Sequence, residues 1–273
     1  MRWSDLIFEA THWVKHRWRS RIRHGVHSPF VFALQDGALK DAALETLPPI
    51  EHARQALHND TRTITRVDLG AGSRSGVASS IRIAEFAQKS LQGEHAARIL
   101  RGLADALDAT HVLELGTALG ITTAYLAWDR PNRKVHTIEG DPILLDIARE
   151  QWTQLGIQNI IGHEGAFDHI LSTSNLAQMK FDLILIDGNH AFEPTMRYWD
   201  QLKHQLTEGG CIVLDDIYWS PGMHGAWTAI KSDPLVTLSL DYFEWGIVFV
   251  FPRKQTEHYS LRLPTMKPRT HFY

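Results

Sequence analysis

Three acidic residues and a histidine follow two apolar runs of the sequence, at the points where each run ends. Asp187 closes FDLILID, Asp215 and Asp216 close CIVLDD, and His190 comes three residues after Asp187. If both runs are neighbouring strands of a parallel sheet, their ends meet at one edge and these side chains converge. Three carboxylates so close together repel one another unless a proton or a cation lies between them. An oxygen-only group suits Mg²⁺ or another hard divalent ion.

This arrangement predicts a reaction at a hydroxyl group. A metal ion held by the three carboxylates would bind a substrate hydroxyl and lower its pKa. Histidine titrates near neutrality, so His190 is the predicted general base. Two plainer interpretations stay open, because aspartate is also a favoured helix N-cap residue and a histidine can be a structural hydrogen-bond donor.

Two segments read as a strand that runs into a glycine turn, VLELGTALG (112–120) and VDLGAGSRSG (67–76). In the first, Gly116 and Gly120 let a backbone approach a ligand, and the following helix can face a carboxylate. The next predicted strand ends in Glu139, which can accept hydrogen bonds from a ribose diol. No second strand with a terminal acid follows 67–76. We therefore predict that 112–120 holds the ligand and that 67–76 is a turn or a lid loop.

The elements that position these residues alternate in type along the chain. Short apolar runs at 111–115, 134–139, 159–163, 181–187 and 211–216 predict strands, and the stretches between them have helical spacing. This alternation indicates a doubly wound, Rossmann-like α/β fold. Runs at 235–241 and 245–251 are too close for a crossover helix and predict an antiparallel edge hairpin. We expect a seven-stranded mixed sheet whose last strand is antiparallel.

We expect residues 1–92 to form a mainly helical cap that precedes this sheet. Residues 93–273 would form the catalytic region. The 273 residues are 44% hydrophobic and 22% charged, with a net charge of −3, which gives no reason to expect nucleic acid as a partner. A single cysteine, Cys211, excludes an internal disulfide and any CxxC metal site. No signal peptide or long apolar run is visible, so we expect a cytoplasmic protein.

The N-terminal segment is locally basic. Residues 1–30 contain six lysines and arginines against two acidic residues, and KHRWRSRIRH interleaves Trp18 and Ile22 with arginines. One interpretation is contact with an anionic membrane. The interpretation that we prefer from sequence is a basic helix that packs its few apolar residues on the main domain.

ELGTALG followed by TIEG resembles the first two motifs of the class I S-adenosylmethionine (SAM) methyltransferases. The resemblance implies that Glu114 and Gly116 lie near the methionine part of SAM and that Glu139 binds its ribose. Ala166 and Phe167, in HEGAF, would flank adenine. The cofactor-binding residues predicted in this way are Glu114, Gly116, Thr117, Gly120, Glu139, Gly140, Ala166, Phe167 and Asp187.

The strand-end acids are similar to those of metal-dependent small-molecule O-methyltransferases of the catechol, caffeoyl-CoA and mycinamicin sugar types. In those families an Asp after the fourth strand and an acidic or Asp-Asn pair after the fifth hold the metal, which implies Asp187, Asp215 and Asp216 here. The catechol type has a lysine base where His190 stands, whereas the mycinamicin type has a histidine. The pair here is Asp-Asp instead of Asp-Asn or Glu-Asp, which leaves the identity of the metal open.

Taken together, HGVHSPFVF (24–32), DLGAGS, IDGNH and DDIYWSPGM also resemble a group of uncharacterised bacterial methyltransferase-like proteins. The predicted function is SAM-dependent O-methylation of a small-molecule hydroxyl on a sugar, a phenol or a lipid head group. Two rivals remain, a nicotinamide-dependent oxidoreductase and a non-catalytic SAM-binding or membrane-associated protein. Absence of a GxGxxG spacing in GTALG argues against the first. The second would not need the acidic trio.

Overall fold

The computed structural model describes residues 3–20, 26–66, 79–253 and 255–262. Ten strands lie in this part of the chain, in two separate sheets. They are β1 (Thr63–Arg66), β2 (Ser79–Arg82), β3 (His111–Leu115), β4 (Lys134–Glu139), β5 (Ile160–Glu164), β6 (Phe181–Ile186), β7 (Leu206–Asp215), β8 (Leu238–Asp241), β9 (Trp245–Phe249) and β10 (Glu257–Ser260).

Helices fill most of the intervals between these strands. They are α1 (Trp3–Arg19), α2 (Pro29–Ala33), α3 (Leu39–Leu44), α4 (Pro48–His58), α5 (Ile83–Ser90), α6 (Glu94–Ala106), α7 (Ile121–Ala127), α8 (Pro142–Gln154), α9 (Phe167–Thr173), α10 (Phe192–Leu202) and α11 (Pro221–Lys231). A π-helical turn joins α2 to α3 and a short 3₁₀ turn follows α9. Within the described ranges, no helix is long and apolar enough to span a bilayer.

The main sheet has the order β10-β8-β9-β7-β6-β3-β4-β5. Strands β5, β4, β3, β6 and β7 are parallel, and β9 pairs antiparallel with both β7 and β8. The predicted doubly wound sheet and its antiparallel hairpin are therefore confirmed. The central strands are apolar on both faces because helices cover both.

The sheet has eight strands instead of the predicted seven. The additional strand, β10, pairs parallel with β8 at the edge. Its sequence is EHYS, which has no apolar alternation, so the pairing depends on the free edge of β8 and not on a pattern in the strand itself.

A second sheet of two strands lies in the N-terminal region. Strands β1 and β2 pair antiparallel, with Thr63 opposite Arg82. Strand β2 runs directly into α5, which begins at Ile83. The glycine-rich segment 67–76 lies outside the described residues, so its predicted role as a turn or lid stays a prediction.

The N-terminal helices share their hydrophobic clusters with the main sheet. Ile50 of α4 and Phe86 of α5 pack in one cluster with Tyr125 of α7 and Leu145 of α8. Val31 of α2 packs in another cluster, together with residues of α6 and β3. Burial of these side chains fixes the N-terminal region against the sheet. The proposed division at residues 92 and 93 stays a prediction.

Candidate active site

The turn after β3 brings the backbone close to the end of β6. Gly116 has φ +106° and donates its N–H to Ile138 O. A Cβ atom at this position would lie 2.0 Å from the carbonyl oxygen of Asp187, and Asp187 in turn donates its N–H to Leu115 O. Both the left-handed backbone and the close approach therefore require glycine here.

Glu139 ends β4 with its carboxyl held by two backbone groups. Oε2 accepts the N–H of Ala118 at 2.9 Å, and Oε1 accepts the N–H of Asp141 at 3.0 Å. Burial raises the pKa of this carboxyl above its usual value, while the two N–H groups oppose that rise. Because each carboxylate oxygen has two acceptor positions, the pre-oriented group can still accept hydrogen bonds from a ligand diol.

Glu114 lies in β3, directly before Leu115, and its buried carboxyl accepts hydrogen bonds from hydroxyl groups. Its Oε2 accepts the hydroxyls of Thr123 at 2.5 Å and Thr137 at 2.6 Å, and Thr137 also contacts the Thr117 hydroxyl. Burial raises the pKa of the Glu114 carboxyl to about 8, and the two threonine hydroxyls oppose the rise. This cluster stabilises the junction of β3, β4 and α7.

We expect Glu114→Gln to remove a pH dependence of stability. The pKa of Glu114 is about 8 in the folded state against an ordinary 4.5, so the native state binds the extra proton between these values. A group with a raised pKa contributes stability below its unfolded pKa and loses that stability as the pH rises through its folded pKa. The free energy of unfolding should fall by up to about 1.4 kcal/mol per pH unit in this window.

Urea unfolding at several pH values between these limits measures this effect. The amide of the variant cannot ionise, so the variant should gain stability relative to the wild type as the pH rises. Glu164→Gln, at an exposed strand end, is the matched control and should show no such trend. Parallel pH profiles for Glu114→Gln and the wild type would contradict the prediction.

One cavity of about 540 Å³ opens at the carboxyl ends of β3, β4, β6 and β7. Nine of the predicted site residues line it, namely Gly116, Glu139, Gly140, Ala166, Phe167, Asp187, His190, Asp215 and Asp216. Glu114, Thr117 and Gly120 do not line it; Gly120, with φ +77°, precedes α7, and its carbonyl accepts the indole N–H of Trp152. The structure therefore brings most of the predicted residues to one place.

His190 and Asp187 face each other in this cavity. His190 Nε2 lies 3.7 Å from Asp187 Oδ1, within ion-pair range but longer than a hydrogen bond. Nδ1 of His190 is buried without a hydrogen-bond partner. The adjacent Asn189 has φ +53° and donates its amide to the Tyr198 hydroxyl at 2.7 Å, which fixes the turn that carries His190.

The three predicted metal ligands all line the cavity, and their role as metal ligands stays a prediction. Among the described residues, no three His, Cys, Asp or Glu side chains are grouped closely enough to hold an ion. Asp215 is buried, and its Oδ2 accepts a hydrogen bond from the Gln92 amide. Asp216 follows with a left-handed backbone, φ +54°. The donor set as it stands therefore does not fit a three-carboxylate metal centre.

Known proteins match the central part of this chain. A family model described as a methyltransferase domain matches residues 113–217, which include the turn after β3, Glu139 and all three strand-end carboxylates. The chain is therefore similar to methyltransferase domains over these residues. The predicted resemblance to this class is confirmed by the family model and by the sheet order.

Two curated relatives are similar to part of this chain. A protein-L-isoaspartate O-methyltransferase from Magnetococcus marinus is 33% identical over 39% of this chain and 42% of its own length. A catechol O-methyltransferase from Mycobacterium tuberculosis is 31% identical over 44% of this chain and 54% of its own. The chain thus spans about half the length of the curated relatives that it matches.

A solved structure has the same fold over a longer stretch. The crystal structure of an O-methyltransferase from Bacillus cereus in complex with S-adenosylhomocysteine (SAH) superposes with a TM-score of 0.55 at 16% sequence identity. The match covers 81% of this chain and 97% of that one. It therefore includes part of the N-terminal region as well as strands of the main sheet.

Sequence reasoning missed the residues that the N-terminal region adds to the cavity. Arg66, Phe86, Lys89 and Gln92 all line it. Gln92 is placed by Arg54 of α4, which donates to the Gln92 carbonyl. No local pattern marks these positions, because only the tertiary packing of α4 and α5 on α7 and α8 brings them to the strand ends.

Proposed function

We propose that the protein is a SAM-dependent O-methyltransferase that acts on a hydroxyl group of a small molecule. One observation carries the proposal: the held carboxylate of Glu139 and the Asp187–His190 pair open into the same cavity at the carboxyl ends of the strands. In doubly wound sheets this edge is where ligands bind. The names of the curated relatives and the SAH-bound Bacillus structure support the same activity.

The lining residues fit the parts of SAM. Glu139 would accept the ribose hydroxyls. Because Gly116 has no Cβ, the backbone of the turn after β3 would lie next to the methionine part of SAM. Phe167 offers a ring to the adenine, and Gly188 lies against that ring, since a Cβ there would come within 2.9 Å of Phe167 Cε2. When bound, SAM supplies an electrophilic methyl group on a sulfonium.

His190 takes the hydroxyl proton in this proposal. Transfer of the SAM methyl group to the hydroxyl oxygen would release the hydroxyl proton, and Nε2 of His190 would accept it. Nε2 is the acceptor because Nδ1 is buried. The nearby Asp187 carboxylate stabilises the protonated ring electrostatically. In this proposal, His190 accepts the proton of the substrate hydroxyl and Asp187 stabilises the charge that His190 then carries.

Calorimetry of the full chain with SAM, SAH and NADH tests the cofactor. We expect SAM and SAH to bind and NADH to give no heat, because the turn after β3 has no GxGxxG spacing for a pyrophosphate. Binding of NADH without binding of SAM would favour the oxidoreductase alternative. Binding of SAM without methyl transfer to any hydroxyl compound would favour a non-catalytic SAM-binding protein.

Methyl transfer from labelled SAM to a panel of phenols and sugars tests the reaction and the predicted metal together. Because Asp215 is bonded to Gln92 and the trio is not grouped, we expect transfer in excess EDTA to match transfer in Mg²⁺. Activity that EDTA abolishes, that Mg²⁺ restores and that Asp215→Asn lacks would show instead that the carboxylates rearrange around an ion.

A further inference from the structure

The N-terminal helix α1 is attached by one of its faces to the C-terminal part of the chain. The Phe8 ring lies 5.8 Å from that of His224, and the His12 ring lies 5.6 Å from that of Tyr218. One turn further, His16 Nε2 contacts the carbonyl oxygen of Asp241 at 3.1 Å. Spacing by four residues places these three side chains on one side of the helix.

The opposite face of α1 presents apolar side chains to solvent. Ile7 is 64% exposed, Val14 49% and Trp18 87%. Positions that are seven and eleven residues apart lie on the same face of a helix, so the three form one stripe. Trp18 therefore does not pack on the rest of the chain as we preferred from sequence, and Ile22 lies outside the described residues.

Positive charge borders the stripe. Lys15 and Arg17 are exposed in the last two turns of α1 and lie on either side of Trp18 around the helix. The Arg17 guanidinium lies 6.0 Å from the Trp13 ring, which is also partly exposed. The sequence continues with further arginines at 21 and 23. An exposed tryptophan beside several cations is the composition of helices that lie in the head-group region of anionic membranes.

We propose that this face of α1 binds the surface of an anionic lipid bilayer, with the stripe of Ile7, Val14 and Trp18 inserted and the basic residues at the head groups. Each cation near such a surface adds attraction, and each inserted apolar group adds burial. A second copy of the chain is a poorer occupant, because a stable interface needs about 20–30 residues on each side. The face attached to the domain stays bound throughout.

Co-sedimentation of the full chain with vesicles tests the proposal. We expect binding to vesicles of phosphatidylcholine with phosphatidylglycerol, little binding to phosphatidylcholine alone, and loss of binding at high salt. Trp18→Ala and Lys15→Glu should each weaken binding about tenfold or more. Leu44→Ala, at a 72% exposed position in α3, and Lys134→Glu, at an exposed position in β4, are matched controls and should bind like the wild type.

Unchanged thermal unfolding of the variants will show that α1 is still folded on the domain. Equal binding to both kinds of vesicle, or none to either, would overturn the proposal. So would salt-sensitive binding to RNA in the absence of vesicle binding, which would assign the basic segment to nucleic acid. Concentration-dependent dimers that Trp18→Ala abolishes, without vesicle binding, would assign the stripe to a second copy.

Discussion

Glu139→Ala should weaken SAM binding by about tenfold or more. A hydrogen bond to a charged group contributes about 1.5–3 kcal/mol, and about 1.4 kcal/mol corresponds to a factor of ten in Kd. The carboxyl is pre-oriented by the N–H groups of Ala118 and Asp141, so the ligand does not have to order it on binding. Calorimetric titration of the full-length variant with SAM and SAH measures the effect.

The matched control is Glu164→Ala. Glu164 pairs with Glu139 in the register of β4 and β5 but is exposed and does not line the cavity. Its removal should leave the Kd for SAM unchanged. A Glu139→Ala protein that unfolds at the wild-type temperature and binds SAM with wild-type affinity would place the cofactor elsewhere, and would contradict the proposed function at its first step.

The sheet was predictable because its strands carry their own signals. FDLILID at 181–187 is apolar almost throughout, as a strand covered on both faces must be, and β6 forms at Phe181–Ile186. The short gap between the two runs after residue 232 leaves no room for a helix, and β8 and β9 form the expected antiparallel pair. The spacing of apolar residues and the length of a connection are local properties, so they can be recognised in a single sequence.

The remaining features depend on tertiary contacts that have no local pattern. Gln92 reaches Asp215 only because α5 and the following loop pack across the cavity, and the two positions are 123 residues apart. The edge strand β10 and the β1–β2 hairpin are polar and short, so their formation depends on the partners that they find.

The acidic trio shows where the sequence reasoning about the site reached its limit. Adjacency of strand ends correctly brought Asp187, Asp215 and Asp216 to one cavity. It gave no side-chain direction, because consecutive residues point to different sides of a strand and Asp216 has a left-handed backbone, φ +54°. The sequence therefore predicted that the three residues lie near one another, but it could not predict how their carboxylates are oriented.

His190→Ala should lower the turnover number by about 10²–10⁴-fold, the usual contribution of a general base. The Kd for SAM should stay the same, because Glu139 and the turn after β3 are untouched. The imidazole is 3.7 Å from Asp187, and no other histidine lines the cavity within the described residues, so no neighbouring ring can take over. Labelled methyl transfer under saturating SAM measures the loss.

Three variants decide what His190 does. His169→Ala, at an exposed position in α9 outside the cavity, is the matched control and should keep full turnover. His190→Lys replaces the imidazole with the amine found at this position in the catechol type, so it should recover part of the activity at high pH, where the amine is neutral. His190→Asn keeps a hydrogen-bonding group without a base and should be as slow as His190→Ala. If His190→Asn retains wild-type turnover, His190 positions the substrate and does not accept its proton.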